Sequence, residues 1–356
     1  TVIARLRAAG AVVIGKTSLH EFAYGVTNNN PHYGPTRNAW DLTRIPGGSS
    51  GGSAVAVSAG LCAGAVGTDT GGSIRIPASL CGVVGIKPTY GRVPVDGIVP
   101  LSWSLDHAGP LTRTVRDAAL FLDVMAGRTT GDAGAFSGAF GADTLEGVRI
   151  GIPRPFFWER LDPQVASLAG AAIESLRRLG GTIVECEVPY ASFGGAVAAV
   201  VMSAEATAFH ADRLRTHADA YGDDVRVRLD RGLFLSATDY VLGLRARRFL
   251  RREFTRAFDV ADVLVMPTTQ AVASPIEEDP ETASGASLAM SVQLTRFTNP
   301  FNTTGLPALS MPCGFTRDGL PAGLQIVGPA GGEAIVLRVG DAYERTARWT
   351  ERRPPL

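Results

Sequence analysis

Between Pro46 and Thr89 the triplet Gly-Gly-Ser occurs three times, at 47–49, 51–53 and 71–73, and the second and third copies are separated by a segment that opens Ala54-Val55-Ala56-Val57-Ser58-Ala59-Gly60. A helix made of such small residues packs its backbone very closely against its neighbours. Consecutive glycines let the chain turn so that several N–H groups converge on one point, which is how an anion-stabilising cradle is built from backbone alone. This stretch therefore sits in the interior of a fold, and its serines are candidates for chemistry.

The flanks alternate helix and strand, the pattern of an α/β protein. Residues 2–9 read as a helix, Gly10 as a turn and 11–14 as a short apolar strand. Residues 25–46, rich in Asn, Pro, Gly and aromatics, read as a long irregular segment of the kind that lines sites. Further on, 114–125 and 163–179 read as helices and 148–152 and 182–188 as strands, and 197–258 is mostly helical, an insertion or cap. A buried strand over 260–267 is followed by a loop to about Ser287. Strands over 308–313 and 322–327 and a helix over 333–347 close the chain, and no part of 1–356 demands a second domain.

Composition narrows the function. With 34 basic and 34 acidic residues the formal charge is zero, so nothing suggests a nucleic-acid surface. The densest basic cluster, Arg245, Arg247, Arg248, Arg251 and Arg252, reads as a solvated helix face with salt bridges. No run approaches the ~20 apolar residues needed to cross a bilayer. Cys62, Cys81, Cys186 and Cys313 are widely spaced in apolar or small-residue contexts, which suits buried thiols in the cytoplasm better than disulfides or a metal site.

Three motifs compete for attention. Gly10-Ala11-Val12-Val13-Ile14-Gly15-Lys16-Thr17 matches the phosphate-loop pattern letter for letter, but its central residues read as a strand, where a phosphate loop needs a flexible turn. Gly48-Ser49-Ser50-Gly51-Gly52 fits the nucleophile turn of α/β-hydrolases, yet that chemistry needs a histidine base, usually late in the chain. The five histidines, His20, His32, His107, His210 and His217, all lie before the final third. The third motif, Gly67-Thr68-Asp69-Thr70-Gly71-Gly72-Ser73-Ile74-Arg75, places a serine after two glycines; taken alone it reads as a structural Gly-rich turn rather than a nucleophile.

The combination decides between them. Pro46-Gly47-Gly48-Ser49-Ser50-Gly51-Gly52-Ser53, the Ser73 block continued through Ile76-Pro77-Ala78, and Cys81-Gly82-Val83-Val84-Gly85-Ile86-Lys87-Pro88-Thr89 together resemble the amidase-signature family of serine hydrolases. The likeness continues through Gly34-Pro35-Thr36-Arg37-Asn38, Asp106-His107-Ala108-Gly109-Pro110 and Asn302-Thr303-Thr304-Gly305-Leu306-Pro307-Ala308. The resemblance implies an α/β fold with a large mixed β-sheet core flanked by α-helices. It further implies Ser73 as the acylated nucleophile, Ser49 as a bridging serine after a cis peptide bond, and backbone N–H groups of Thr70, Gly71, Gly72 and Ser73 as the oxyanion hole. Ser50, Asp69 and Arg75 support these from behind. Neither cofactor nor metal is implied.

In the resembled family a lysine, kept neutral by its surroundings, takes the proton through the bridging serine. Its segment lies further upstream of that serine than the 48 residues present here, and the chain starts abruptly at Thr1, so a native N-terminal stretch is expected to be missing. Of the two lysines, Lys16 lies in an element the family has besides its catalytic lysine, and Lys87 is expected to pair with a carboxylate or cap a turn. Three functions stay open. The first is an amidase acting on small-molecule amides, with no membrane or nucleic-acid partner and with homodimerisation possible. The second is the glutamine-hydrolysing component of a glutamyl-tRNA(Gln) amidotransferase, and the third a silent relative that binds or scaffolds. Phe22, Tyr24, Tyr33, Trp40 and Trp103 are candidates for an acyl pocket.

Overall fold

A computed structural model describes residues 1–128, 135–138, 140–141, 144–276, 289–347 and 349–355. Its strands are β1 (Asn29–Asn30), β2 (Gly34–Pro35), β3 (Gly64–Asp69), β4 (Val84–Lys87), β5 (His107–Thr112), β6 (Arg149–Arg154), β7 (Thr182–Glu187), β8 (Val263–Pro267), β9 (Ala308–Phe315) and β10 (Pro321–Val327). The helices are α1 (Val2–Ala8), α2 (Gly51–Ser58), α3 (Arg75–Cys81), α4 (Val115–Met125), α5 (Pro163–Arg178), α6 (Gly194–His217), α7 (Asp223–Gly232), α8 (Ala237–Ala257), α9 (289–295), α10 (Asn299–Thr304) and α11 (Glu333–Ala347).

Eight of the strands form one mixed sheet in the order β3-β5-β4-β9-β10-β8-β6-β7. From β3 to β8 neighbours run antiparallel; β8, β6 and β7 are parallel. The parallel pair β6/β7 is bridged by α5, as a parallel connection requires. Asp162 caps α5 through the N–H groups of Gln164 and Val165, Pro163 occupies its first turn, and Arg177 and Arg178 face the negative end of its dipole. The main core lies where α4, α5 and α11 cover the sheet, around Leu122, Leu176, Met311 and Leu337.

The mixed sheet flanked by helices agrees with the fold expected from the sequence, and α6, α7 and α8 occupy the expected helical region. Three expectations need correction. Residues 11–14 form no strand: no neighbouring strand pairs with them, and Val12 and Ile14 stay 85% and 72% exposed. The stretch Ala191–Ala220 is long and apolar enough to span a bilayer by length and composition. It nevertheless packs on α7, α8 and α10, and its buried Glu205 accepts hydrogen bonds from Ser102 and Tyr240.

The arginine cluster of α8 is the third. Arg247 donates to the carbonyls of Thr303 and Ser104, and Arg251 to that of Thr304, so two of the five close the C-terminal end of α10. The loop expected up to Ser287 falls largely on residues 277–288, outside the described residues.

Candidate active site

The site grows from the end of β3. Asp69, its last residue, has no solvent exposure, and its carboxylate accepts the N–H groups of Gly72 (2.8 Å) and Ile74 (3.1 Å). The Arg75 guanidinium meets the same carboxylate at 3.0 and 2.9 Å, and Asn302 Nδ2 donates at 2.8 Å. Burial by itself raises the pKa of such an acid, but Arg75, with Lys87 and Asn302, holds Asp69 well below the usual carboxylate range. Arg75 is equally buried and donates onward to the Thr298 carbonyl, Gln325 Oε1 and Asn302 Oδ1. The turn between β3 and α3 is thereby tied to α10 and β10.

These bonds orient the turn's peptide planes. The Asp69 carbonyl accepts from Asn302 Nδ2 (3.0 Å) and from His107 Nδ1 (3.2 Å). Carbonyl and N–H of a trans peptide point opposite ways, so the Thr70 N–H faces away from this anchor. Among the described residues no acceptor is found for the backbone N–H groups of Thr70, Gly71 and Ser73. Gly72 departs from the expected set, because its N–H is turned into Asp69. At Gly72 φ is +135°, and a Cβ there would stand 2.3 Å from Thr298 Oγ1, so only glycine fits. Thr298 Oγ1 in turn donates to the Gly71 carbonyl at 2.6 Å.

The first serine block meets the second here. The Ser50 N–H donates to the Ser73 carbonyl (3.2 Å), while Ser50 Oγ bonds both the carbonyl and the N–H of Thr68 at 3.1 Å. Ser49 follows a cis peptide from Gly48, as the resemblance implies. Its hydroxyl is buried and has no hydrogen-bond partner among the described residues, so no bond joins it to Ser73. Ser73 is 5% exposed and, with Thr70 and Gly71, lines a cavity of about 670 Å³. Tyr24, Leu101, Met202 and Phe156 are among its other walls. Of the aromatics singled out in the sequence, only Tyr24 is in the cavity wall; Tyr33 is exposed and Trp40 packs on Phe315.

Neither lysine is bonded to Ser49. Lys16 is exposed. Lys87 is fully buried, donating to the Pro88 carbonyl (3.0 Å) and meeting His107 Nε2 at 3.2 Å. The carbonyl it meets is that of the next residue, and no carboxylate lies at ion-pairing distance among the described residues. Burial and the nearby Arg75 push its pKa well down. Asp106 accepts the Thr70 hydroxyl at 2.6 Å, and burial pushes its pKa up to about 6.

Sequence reasoning gave no role to Thr298, Asn302 or Gln325. Asn302 stood in the late block only by resemblance, but Gln325 carried a signal: a lone amide inside the otherwise apolar strand Ala322-Gly323-Leu324-Gln325-Ile326-Val327. A buried polar side chain in such a strand needs a partner.

Comparison with known proteins agrees with this architecture. Residues 1–337 match the family model described as Amidase. The chain is 42% identical to the A component of the glutamyl-tRNA(Gln) amidotransferase of Roseiflexus sp. (strain RS-1), covering all of this chain and 78% of that protein. It is 44% identical to an amidase of Pseudomonas putida, covering 99% and 76%. The solved structure of 6-aminohexanoate cyclic dimer hydrolase in complex with substrate superimposes with a TM-score of 0.90 at 31% identity, covering 99% and 79%. A match of this extent, on a sheet and serine turn of this form, makes the chain a member of the Amidase family.

Proposed function

We propose that the chain hydrolyses carboxylic amides with Ser73 as nucleophile. The observation that carries this reading is the position of Ser73: in a cavity wall beside the N–H groups of Thr70 and Gly71, which have no acceptor among the described residues, on a turn locked from behind by Asp69 and Arg75. Ser73 Oγ attacks the amide carbonyl carbon, and the resulting oxyanion is met by the N–H groups of Thr70, Gly71 and Ser73 itself. Each such donor supports the transition state by roughly 3–4 kcal/mol. Collapse expels the protonated amine or ammonia and leaves an ester on Ser73, which water hydrolyses to free acid.

Ser49 is the relay for the Ser73 proton: its buried hydroxyl has no competing partner among the described residues and its block abuts the Ser73 turn. The relay needs a base beyond Ser49, and the described residues bring neither lysine to it. Helices α6 and α7 act as a cap, since Met202, Ser203, Arg228 and Arg231 stand in the cavity wall. The four cysteines, all unpaired, suit a cytoplasmic setting.

A fluorophosphonate probe followed by peptide mass spectrometry tests the nucleophile. Labelling is expected on Ser73, and Ser73→Ala is expected to lower amide turnover by about 10⁴-fold. Labelling of another serine, or turnover surviving in the variant, overturns the assignment.

A second reading is favoured by one observation, the 42% identity to the A component of an amidotransferase. On that reading the amide hydrolysed feeds a partner protein, and stable co-purification with such a partner distinguishes it from a free-standing amidase.

A further inference from the structure

The cavity around Ser73 has four arginines in its wall, Arg160, Arg228, Arg231 and Arg296, and no Asp or Glu among the described residues that line it. The chain as a whole has 34 basic and 34 acidic residues, so this grouping of arginines in the described wall is a local feature. Two of the four are already engaged. Arg228 meets Asp224 at 3.3 Å and Ser291 at 3.1 Å; Arg296 meets Glu159 at 3.0 Å and lies 4.2 Å over the Phe156 ring.

Arg160 and Arg231 have no carboxylate at ion-pairing distance among the described residues. They reach the cavity from different parts of the fold. Arg231 stands in the last turn of α7, close enough to act electrostatically on Tyr24, another wall residue. Arg160 follows the helical turn Phe156–Trp158, and its carbonyl is held by Gln270 Nε2 at 3.3 Å, so its backbone is fixed to the same wall. Both side chains reach solvent. As exposed residues of the cavity wall, both can offer charge-assisted hydrogen bonds to an anion that enters.

The remaining wall includes Leu101, Phe156, Ala199 and Met202, groups that suit an uncharged aliphatic stem. We infer that the substrate is a carboxylate-bearing amide, whose second, anionic group is recognised by Arg160 and Arg231 while Ser73 attacks the amide carbonyl. This rests on the reading of Ser73 as the nucleophile and narrows the amides it accepts.

Two matched pairs of amides test it, each pair differing only by a carboxylate: adipic acid monoamide against hexanamide, and N-acetyl-6-aminohexanoate against N-hexylacetamide. In at least one pair the anionic member is expected to show a kcat/KM higher by about 10-fold or more, and Arg231→Gln or Arg160→Gln to reduce that preference by about 10-fold. The preference should weaken as salt is raised. Arg231→Glu should move it toward amides bearing an ammonium group, which guards against reading a misfolded variant as a positive. Equal turnover of both members in both pairs, unchanged by the variants, overturns the inference and leaves the nucleophile assignment intact.

On Ser73→Ala, calorimetry with the same pairs reads the discrimination without turnover. Tighter binding of the anionic member supports the arginine subsite even where no amide is cleaved, the result that removes the hydrolase reading; equal binding rejects the subsite.

Discussion

The pairing of Asp69 with Arg75 gives the sharpest test of how the serine turn is held. Both side chains have no solvent exposure, and two contacts of 2.9 and 3.0 Å join them. In Asp69→Asn the guanidinium keeps only neutral acceptors, the Thr298 carbonyl, Gln325 and Asn302, for a buried positive charge. Breaking a buried pair by removing one partner costs about 3–5 kcal/mol. The amide also presents a donor where the carboxylate accepted the N–H groups of Gly72 and Ile74, so one of them loses its acceptor. Because Gly72 neighbours both Gly71 and Ser73, amide turnover should fall by roughly 10²–10³-fold.

Arg75→Met should be similarly destabilising, since it strands the carboxylate. The double variant should be less destabilised than the two singles summed, by about 2 kcal/mol or more, because neither charge is then left alone. Urea unfolding of the four proteins measures the cycle. The pH dependence has a definite sign. Asp69 is held below its unfolded value of ~3.9, so its contribution is complete above that pH and is lost only as pH falls through the folded value. The cost of Asp69→Asn should accordingly be flat between pH ~5 and ~8. Additive singles, or singles each below about 1 kcal/mol, would refute the view that this pair holds the turn.

Two further outcomes test other parts of the structure. Glu344 accepts the Val115 N–H at 2.7 Å, and burial pushes its pKa up to about 7, so the folded protein binds a proton that the unfolded chain releases. Stability should therefore decline as pH rises from ~4.3 toward that value, and Glu344→Gln should flatten the decline in unfolding measured across this window. Gly72→Ala forces a Cβ to within 2.3 Å of Thr298 Oγ1 at a φ of +135°, and should abolish fluorophosphonate labelling of Ser73 even when Thr298→Gly removes the clashing side chain, because the backbone strain remains.

What local chemistry dictates was legible in the letters. Asp162-Pro163 starts α5, Thr114 caps α4, and the strongly apolar β8 is one continuous run buried along its whole length. The Gly-Gly-Ser blocks marked the turn because only glycine tolerates the backbone approach found at Gly72. By contrast β3, Gly64-Ala65-Val66-Gly67-Thr68-Asp69, has too few bulky residues to announce a strand and becomes one only through pairing with β5. Residues 11–14 show the converse, a strand-like pattern with no strand to pair with.

The site itself divides the same way. Its serines and glycines are sequence-local and could be named in advance, whereas the partners that fix them come from far along the chain: Asn302 lies 233 residues from Asp69, and Gln325 lies 250 from Arg75. Hydrogen bonds of that span depend on the order in which eight strands assemble, which no local pattern encodes. The cavity charge has the same origin, since Arg160 and Arg231 are ordinary surface residues in the text and share one wall only because the fold places α7 and the turn after β6 around Ser73.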